Sequence, residues 1–190
     1  AQLQQEKPIQ YITREAWFYG LRFEVNENTL IPRPETEELV EWIIESQKSK
    51  VKSQKFEILD IGTGTGCIPI SLKANLPHVN VSAIDVSEKA LEVARRNAVS
   101  NKVEINFIQT NILEVEDLSQ LQTPNFQLPT SFDIIVSNPP YVRNLEKEEI
   151  KKNVLDYEPH LALFVEDTDA LLFYRKIAQL ALKNLAPNGL

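Results

Sequence analysis

Strand-like and helix-like segments alternate through the middle of this 190-residue chain, and this alternation constrains the fold more than any other feature. Short apolar runs predict strands at 56–61, 79–85, 103–108 and 132–137. Helical spacing of apolar residues predicts helices at 67–75, 87–100 and 169–185. Such alternation favours a parallel sheet with helices on both faces. The sequence therefore predicts a doubly wound, Rossmann-like α/β domain that binds ligands at the carboxyl ends of its strands.

The segments ahead of this domain have a different character. Residues 11–25 are rich in aromatic and β-branched residues around Gly20, which predicts a β-hairpin. A proline-stiffened stretch follows, and a helix is expected to start between Pro34 and Thr36. We therefore assign residues 1–30 to the end of an N-terminal region with a linking hairpin.

Residues 31–190 are assigned to the α/β domain. Two polar stretches, 46–55 and 114–131, are expected to be a linker and a long connection. Since the chain ends on a turn signal and one apolar residue, the last strands of the domain are expected to be truncated.

Composition narrows the classes of partner. The net charge is -7, and no Lys/Arg cluster with interleaved aromatics is apparent, which makes a nucleic-acid partner unlikely. No apolar run approaches the roughly 20 residues that span a bilayer, so no membrane partner is expected. The single cysteine, Cys67, leaves no internal disulfide and fits a reducing cytoplasm. The two histidines lack ligand-spaced neighbours, so no metal site is expected.

A glycine-rich loop follows the first strand of the predicted sheet, and its details matter because such loops are common. Its sequence is Asp60-Ile61-Gly62-Thr63-Gly64-Thr65-Gly66. A phosphate-binding loop would end in Gly-Lys-Ser/Thr, and a dinucleotide loop would space its glycines G-x-G-x-x-G. The spacing here is G-x-G-x-G, which favours neither. Glycines at this turn nonetheless let a ligand approach the backbone closely.

Two carboxylates flank this loop. Asp85 ends the next strand, where a carboxylate can accept hydrogen bonds from both ribose hydroxyls of a nucleoside. Asp60, beside backbone N–H groups expected to be exposed, suits the amino and carboxylate groups of an amino acid. A ligand that is both nucleoside and amino acid is S-adenosylmethionine, which becomes S-adenosylhomocysteine after methyl transfer. The alternative is that both aspartates only cap strand ends.

A second motif, Asn138-Pro139-Pro140-Tyr141, follows the last predicted strand. The prolines fix the backbone, so the Asn138 side-chain oxygen and a proline carbonyl can accept the two N–H hydrogens of a planar amide or amine. Tyr141 offers a flat face for stacking. This arrangement would orient a weakly nucleophilic nitrogen towards a methyl donor and stabilise the charge that develops on it. The alternative is that Asn-Pro-Pro merely terminates a strand.

At this point the chain resembles the release-factor glutamine methyltransferase family. The motifs that carry the resemblance are Phe18-Tyr19-Gly20-Leu21-Arg22-Phe23, Leu30-Ile31-Pro32-Arg33-Pro34-Glu35-Thr36-Glu37, the glycine loop, Asn138 to Tyr141, and Asn153-Val154 through Glu158-Pro159 with Ala162-Leu163. The proline-rich stretch is the most specific, because Asn-Pro-Pro-Tyr is shared with amino-methylating enzymes of DNA and RNA.

The resemblance implies the glutamine of the Gly-Gly-Gln loop of class-1 peptide-chain release factors as the methyl acceptor. It implies Asn138 and the Pro139 carbonyl as amide ligands, 62–66 and Asp85 as cofactor contacts, and Arg33 and Glu35 near the site. Asn111, where the family often has an acidic residue, would accept from the adenine amino group, and Ile112 would pack on the ring. A second departure is Arg14, which stands where the family usually has glycine.

Three hypotheses for the function remain open from the sequence. The first is N5-methylation of a release-factor glutamine. The second is an amino-methyltransferase acting on DNA or RNA, against which the acidic balance and the Arg33–Thr36 segment argue. The third is a cofactor-binding module without catalytic activity. Arg33 and Glu35 could equally belong to a surface turn and helix start.

Overall fold

The computed structural model describes residues 2–47, 56–124 and 126–190. Its helices are α1 (Ile9–Thr13), α2 (Pro34–Gln47), α3 (Cys67–Asn75), α4 (Glu88–Ser100), α5 (Lys152–Leu155) and α6 (Leu172–Asn184). Its strands are β1 (Glu15–Phe18), β2 (Leu21–Glu24), β3 (Glu57–Ile61), β4 (Asn80–Asp85), β5 (Asn106–Gln109), β6 (Gln122–Thr123), β7 (Phe126–Gln127), β8 (Ile134–Ser137), β9 (Val142–Arg143) and β10 (Phe164–Val165). Short 3₁₀ turns occupy Leu3–Gln5, Ile112–Glu114, Leu118–Gln120, Asn144–Glu149 and His160–Ala162.

The centre of the molecule is a parallel sheet in the order β5-β4-β3-β8. One core cluster joins sheet residues such as Ile58 and Ile134 to α2 and α3, and a second joins Leu59 and Ile84 to α6. Successive residues of β3 thus face opposite sides of the sheet, as a pleated strand requires. The predicted doubly wound α/β fold is confirmed.

Local sequence explains where the site-forming helices begin. Pro34 opens α2, where its missing N–H costs nothing and its φ is already helical. Ser87 caps α4 by accepting a hydrogen bond from the Ala90 N–H at 3.2 Å, as its position before the helix predicts. Both helices therefore begin beside the carboxyl ends of the sheet strands.

The β1–β2 hairpin packs on one side of this sheet. Phe18 and Phe23 are buried edge to face, with ring centroids 6.2 Å apart, in the same core cluster as Ile58. Asn97 of α4, itself buried, ties the hairpin down: its Oδ1 accepts from the Glu24 N–H at 2.6 Å. Its Nδ2 donates to the carbonyls of Glu24 and Thr65 at 3.0 and 2.9 Å. One amide therefore joins the hairpin, α4 and the glycine loop.

Two predicted boundaries at the start of the chain are wrong. The hairpin begins at Glu15, because residues 9–13 form α1, which buries Tyr11. Arg14 ends that helix with φ 58°, the left-handed conformation that glycine adopts without strain. Polar residues 46 and 47 finish α2, while positions 48–55 of the predicted linker lie outside the described residues.

Three further boundaries shift for local reasons. Residues 103–105 are not part of β5, because the pairing of β5 with β4 begins at Asn106, which lies opposite Ser82. The 114–131 connection contains the short β6–β7 hairpin and a 3₁₀ turn capped by Asp117. Helix α6 starts at Leu172 rather than at 169. Asp169 lies ahead of the helix, and its carboxylate pairs with Arg175 in the first turns of α6.

Candidate active site

A cavity of about 400 Å³ opens at the carboxyl ends of the sheet strands. The pairing of Ile61 with Ser137 sets Gly62 and Asn138 side by side, and the pairing of Asp85 with Gln109 brings Asn111 to the same edge. Its volume lies within the roughly 300–1,000 Å³ typical of small-molecule sites. The predicted residues in its lining are Arg33, Gly62, Thr63, Gly64, Thr65, Asp85, Asn111, Ile112, Asn138, Pro139 and Pro140. Asp60, Gly66, Tyr141 and Glu35 are outside the lining.

The glycine loop is held in shape by the end of β4. The N–H groups of Gly62 and Thr63 donate to the Ile84 carbonyl at 2.9 and 3.1 Å. The Gly64 N–H donates to Asp85, and the Gly66 N–H donates to the Thr63 carbonyl. The expectation that these N–H groups are exposed to a ligand is therefore wrong for four of the five loop residues, because neighbouring acceptors already bind them.

The glycines of the loop serve two different purposes. Gly62, Gly64 and Gly66 all have positive φ, so any side chain there is strained. A Cβ on Gly62 or Gly64 would meet no atom within 4 Å, whereas one on Gly66 would lie 2.9 Å from Ile70 and 3.2 Å from Ala94. Gly62 and Gly64 therefore leave open space in the loop, and Gly66 permits α3 and α4 to approach each other.

Asp85 organises the loop and faces the cavity with the same carboxylate. Its Oδ2 accepts from the Gly64 N–H at 2.8 Å, and its Oδ1 accepts from the Ser87 N–H at 2.9 Å. Burial raises the pKa of Asp85, and the N–H groups of Ser87 and Gly64 oppose that rise. Each carboxylate oxygen keeps acceptor capacity for a hydroxyl, so a bound diol would add to these hydrogen bonds rather than replace them.

Asp60 lies beneath the loop and is completely buried. Neither of its carboxylate oxygens, nor the nearby Thr63 hydroxyl, has a hydrogen-bond partner of good geometry among the described residues. Burial raises the pKa of Asp60 to about 7; the Thr63 hydroxyl partly opposes this rise, and the Asp85 carboxylate adds to it. A buried acceptor without a donor indicates a site that receives a donor from a ligand.

The adenine end of the predicted site is formed by Asn111 and Ile112. Asn111 caps a 3₁₀ turn: its Oδ1 accepts from the Leu113 N–H at 3.2 Å, while its Nδ2 donates to Glu114 at 2.7 Å. Its oxygen therefore has one remaining lone pair for a ligand N–H. Ile112 is buried and lines the cavity as an apolar wall.

The Asn-Pro-Pro-Tyr segment forms the opposite end of the cavity. Asn138 follows β8 directly and donates through Nδ2 to the hydroxyl of Thr36 at 3.3 Å. Pro139 is buried and Pro140 is half-buried, and both line the cavity. Tyr141 is 57% exposed, so nothing in the protein packs over its ring face completely. Asn138 therefore keeps its side-chain oxygen available beside the prolines.

Arg33 lines the cavity, but its guanidinium is already paired. Its Nη2 lies 2.6 Å from Oε1 of Glu158, whose side chain is only 1% exposed. The other oxygen of Glu158 accepts from the Ile31 N–H at 3.2 Å. Glu158 thus fastens the stretch before α2 to the segment that follows Glu158, in which Pro159, Leu161 and Ala162 line the cavity. Glu35 is exposed at the start of α2.

Two functional candidates were missed by the sequence reasoning. Thr36 was placed in a helix start and in a family motif, and Glu158 in a family motif, but neither residue was given a role in the site. Their partners are 102 and 125 residues away, and no local pattern announces such contacts. Thr36 nevertheless stands inside the most specific motif of the chain, which was a usable signal.

The residues that line the cavity, together with Asp60 beneath the glycine loop, fit S-adenosylmethionine. Asp85 presents acceptors for ribose hydroxyls, Ile112 an apolar surface for a purine, and the unpaired carboxylate of Asp60 an acceptor for a cationic group. Among the described residues no group of three or more His, Cys, Asp or Glu side chains could hold a metal ion. In the same part of the chain no helix is long and apolar enough to cross a membrane.

The fold and this cleft define a nucleoside-binding α/β protein of the methyltransferase type. The family model of the methyltransferase small domain matches residues 43–160, and the chain belongs to this family. It is 64% identical to the release factor glutamine methyltransferase of Flavobacterium psychrophilum over 188 residues, which are 99% of this chain and 62% of that protein. Its identity to the Bacteroides thetaiotaomicron enzyme of the same name is 47%, over 98% of this chain and 62% of that enzyme.

The chain therefore spans about three fifths of the length of these relatives. Solved structures resemble it in fold. The hMettl16 catalytic domain in complex with the MAT2A 3'UTR hairpin 6 has a TM-score of 0.62 and 21% identity, covering 88% of this chain and 59% of that one. A human methyltransferase 10 domain containing protein has a TM-score of 0.56 and 21% identity, covering 88% and 68%.

Proposed function

We propose that this chain is the methyl-transferring part of an enzyme that methylates the side-chain amide nitrogen, N5, of the glutamine in the Gly-Gly-Gln loop of class-1 peptide-chain release factors. The observation that carries the proposal is one cavity with Asp85, Asn111 and Ile112 towards one end, Asn138-Pro139-Pro140 at the other, and the glycine loop between them. The identity to release factor glutamine methyltransferases over nearly the whole chain supports the substrate.

The chemistry follows from what each end supplies. S-adenosylmethionine, when bound, supplies an electrophilic methyl carbon, whose bond to sulfur breaks as the new bond to nitrogen forms. Asn138 Oδ1 and the Pro139 carbonyl accept the two N–H hydrogens of the glutamine amide and turn its nitrogen towards that carbon. They also stabilise the positive charge that develops on nitrogen, which then loses a proton to solvent.

The remaining predicted residues have supporting roles in this proposal. Tyr141 and the Pro140 carbonyl border the amide, while Asp60, residues 62–66, Asp85, Asn111 and Ile112 hold the cofactor. Arg33 and Glu35 would border the substrate, although Arg33 is already paired with Glu158. We place the protein in the cytoplasm, where its proposed substrate works, and keep the division at residue 30 as a prediction.

The test offers three acceptors to the full-length protein with labelled S-adenosylmethionine: a purified class-1 release factor, its Gly-Gly-Gln variant with alanine for glutamine, and duplex DNA. Label on the native release factor alone supports the proposal. Label on the alanine variant as well moves the modified residue elsewhere. Label on DNA favours the nucleic-acid alternative, and cofactor binding without any labelled product favours a non-catalytic module.

A further inference from the structure

Thr36 lies against the side chain of Asn138 although it belongs to another element. It stands in the first turn of α2, is 8% exposed, and lines the same cavity. Its Oγ1 accepts from Asn138 Nδ2 at 3.3 Å. No side chain other than Thr36 is hydrogen-bonded to Asn138 among the contacts recorded in the described parts of the chain.

The orientation of the Asn138 amide decides what it offers to a substrate. With the NH₂ group towards Thr36, Oδ1 is left to accept hydrogen bonds. If the Asn138 amide were flipped, its NH₂ group instead of Oδ1 would face the NH₂ group of a substrate amide, so that donors would face donors. Such a substrate would then lack the acceptor that holds it. The orientation of the amide therefore decides whether Asn138 can act, and in the structure its NH₂ group lies on the side of Thr36.

Thr36 is itself held in place by an independent contact. Its N–H donates to the Arg33 carbonyl at 3.0 Å, and the Arg33 guanidinium is paired with buried Glu158. The proline at position 34 further fixes the backbone before it. The Thr36 hydroxyl is therefore held at a fixed position, where it accepts from the NH₂ group of Asn138.

We infer that Thr36 is a positioning residue, which fixes the Asn138 amide with its oxygen towards the nitrogen to be methylated; this rests on the proposed function. The hydroxyl acts through Asn138 and does not touch the reacting atoms. A side chain of the same shape without the hydroxyl would leave the amide free to rotate. Serine would keep the acceptor.

The test compares Thr36→Val and Thr36→Ser in the full-length protein, with Thr130→Val, an exposed threonine outside the cavity, as the matched control. Thr36→Val should lower kcat about 10- to 100-fold, as loss of one oriented group in an active site does. KM for the methyl donor and the unfolding midpoint should stay near wild type. Thr36→Ser should restore kcat to within about twofold of wild type, a recovery that a purely structural role would not require.

Two further readouts separate this role from others. On an Asn138→Ala background, Thr36→Val should have no further effect on kcat, because the amide that it orients is gone. The ¹H–¹⁵N signals of the Asn138 side-chain amide should shift in Thr36→Val and return in Thr36→Ser. An unchanged kcat in Thr36→Val, or an equal loss with and without Asn138, would overturn the inference. Failure of the wild-type protein to methylate a release factor would reject the proposed function instead. The amide signals would then still test whether Thr36 and Asn138 are hydrogen-bonded.

Discussion

The cavity has two ends that are built in different ways. The cofactor end comes from consecutive strand–loop–helix units, and its loop is closed by hydrogen bonds from Gly62, Thr63 and Gly64 to the end of the next strand. The Asn138 end is lined by three distant stretches of the chain, which contribute residues 29–33 with Thr36, residues 137–140, and Pro159, Leu161 and Ala162. The first end forms wherever the βαβ unit folds, while the second requires contacts across more than 100 residues. Binding and reaction should therefore be separable by substitution.

The sharpest separation should come from Asn138→Ala. Loss of the amide acceptor should lower kcat about 10²- to 10³-fold, as removal of one oriented hydrogen-bonding group does in other active sites. The Kd of S-adenosylmethionine should change much less.

Asp85→Ala should have the reverse effect. It should raise the Kd of S-adenosylmethionine about 10- to 100-fold, since it removes charge-assisted hydrogen bonds worth roughly 1.5–3 kcal/mol. Steady-state kinetics and calorimetry check both, and equal losses in both constants for both variants would break the comparison.

Glu158→Gln tests the closure of the Asn138 end. The carboxylate accepts from Arg33 and from the Ile31 N–H while almost fully buried, so its loss should lower the free energy of unfolding by about 2–3 kcal/mol. The control is Glu146→Gln, which removes the more exposed pair with Arg143 and should lower stability much less than Glu158→Gln does. Urea unfolding measures both. If the two variants lose equal stability, Glu158 does not fasten the segments as described.

Asp60→Asn tests whether the buried carboxylate at the cofactor end lowers the free energy of unfolding. The pKa of Asp60 is about 7 in the folded protein against 3.8 ordinarily. As the pH rises from 4 to 7, the unfolded chain loses this proton while the folded protein retains it, so stability falls through that window. The variant cannot ionise and should be more stable than wild type at pH 8, by about 1–3 kcal/mol, with a smaller difference at pH 5. Urea unfolding without methyl donor at both pH values measures this, and a difference that does not grow with pH would contradict it.

The two kinds of glycine give a finer contrast within the same loop. Gly66→Ala adds both strain and close contacts with Ile70 and Ala94, so it should lower stability by about 1–3 kcal/mol. Gly64→Ala meets no atom and should cost only the strain of its positive φ, about 1 kcal/mol. Thermal unfolding of the two variants checks the order, and a larger loss for Gly64→Ala would show that the loop is packed otherwise.

Arg14→Gly should have the smallest effect, and it lies outside both ends of the cavity. Since Arg14 has φ 58° at the end of α1, glycine should remove strain and raise stability by about 0.5–1 kcal/mol. The Kd of the methyl donor and kcat should not change. Thermal unfolding supplies the measurement, and a drop in stability would mean that the arginine side chain contributes more than the strain costs.

The same division separates the features that could be predicted from the sequence from those that could not. Four features were predictable because each is a local pattern at the end of a strand. They are the glycine loop, Asp85, Asn138, and the helix that Ser87 caps. The pairing of Thr36 with Asn138 and of Arg33 with Glu158 was not, since those contacts depend on how remote segments pack. The prediction that the loop N–H groups are exposed failed for a related reason, since the acceptors for three of them, Ile84 and Asp85, belong to the next strand.

The buried amide of Asn97 has a consequence for how the protein opens. It accepts from the Glu24 N–H and donates to the Glu24 carbonyl, and so replaces the neighbouring strand that the edge of β2 lacks. The same amide holds the Thr65 carbonyl, so peeling the hairpin away removes two of the three hydrogen bonds that orient the donor of this buried loop carbonyl. In hydrogen-exchange experiments the hairpin and the loop should therefore behave as one cooperative unit, with amide protection that rises together when cofactor binds.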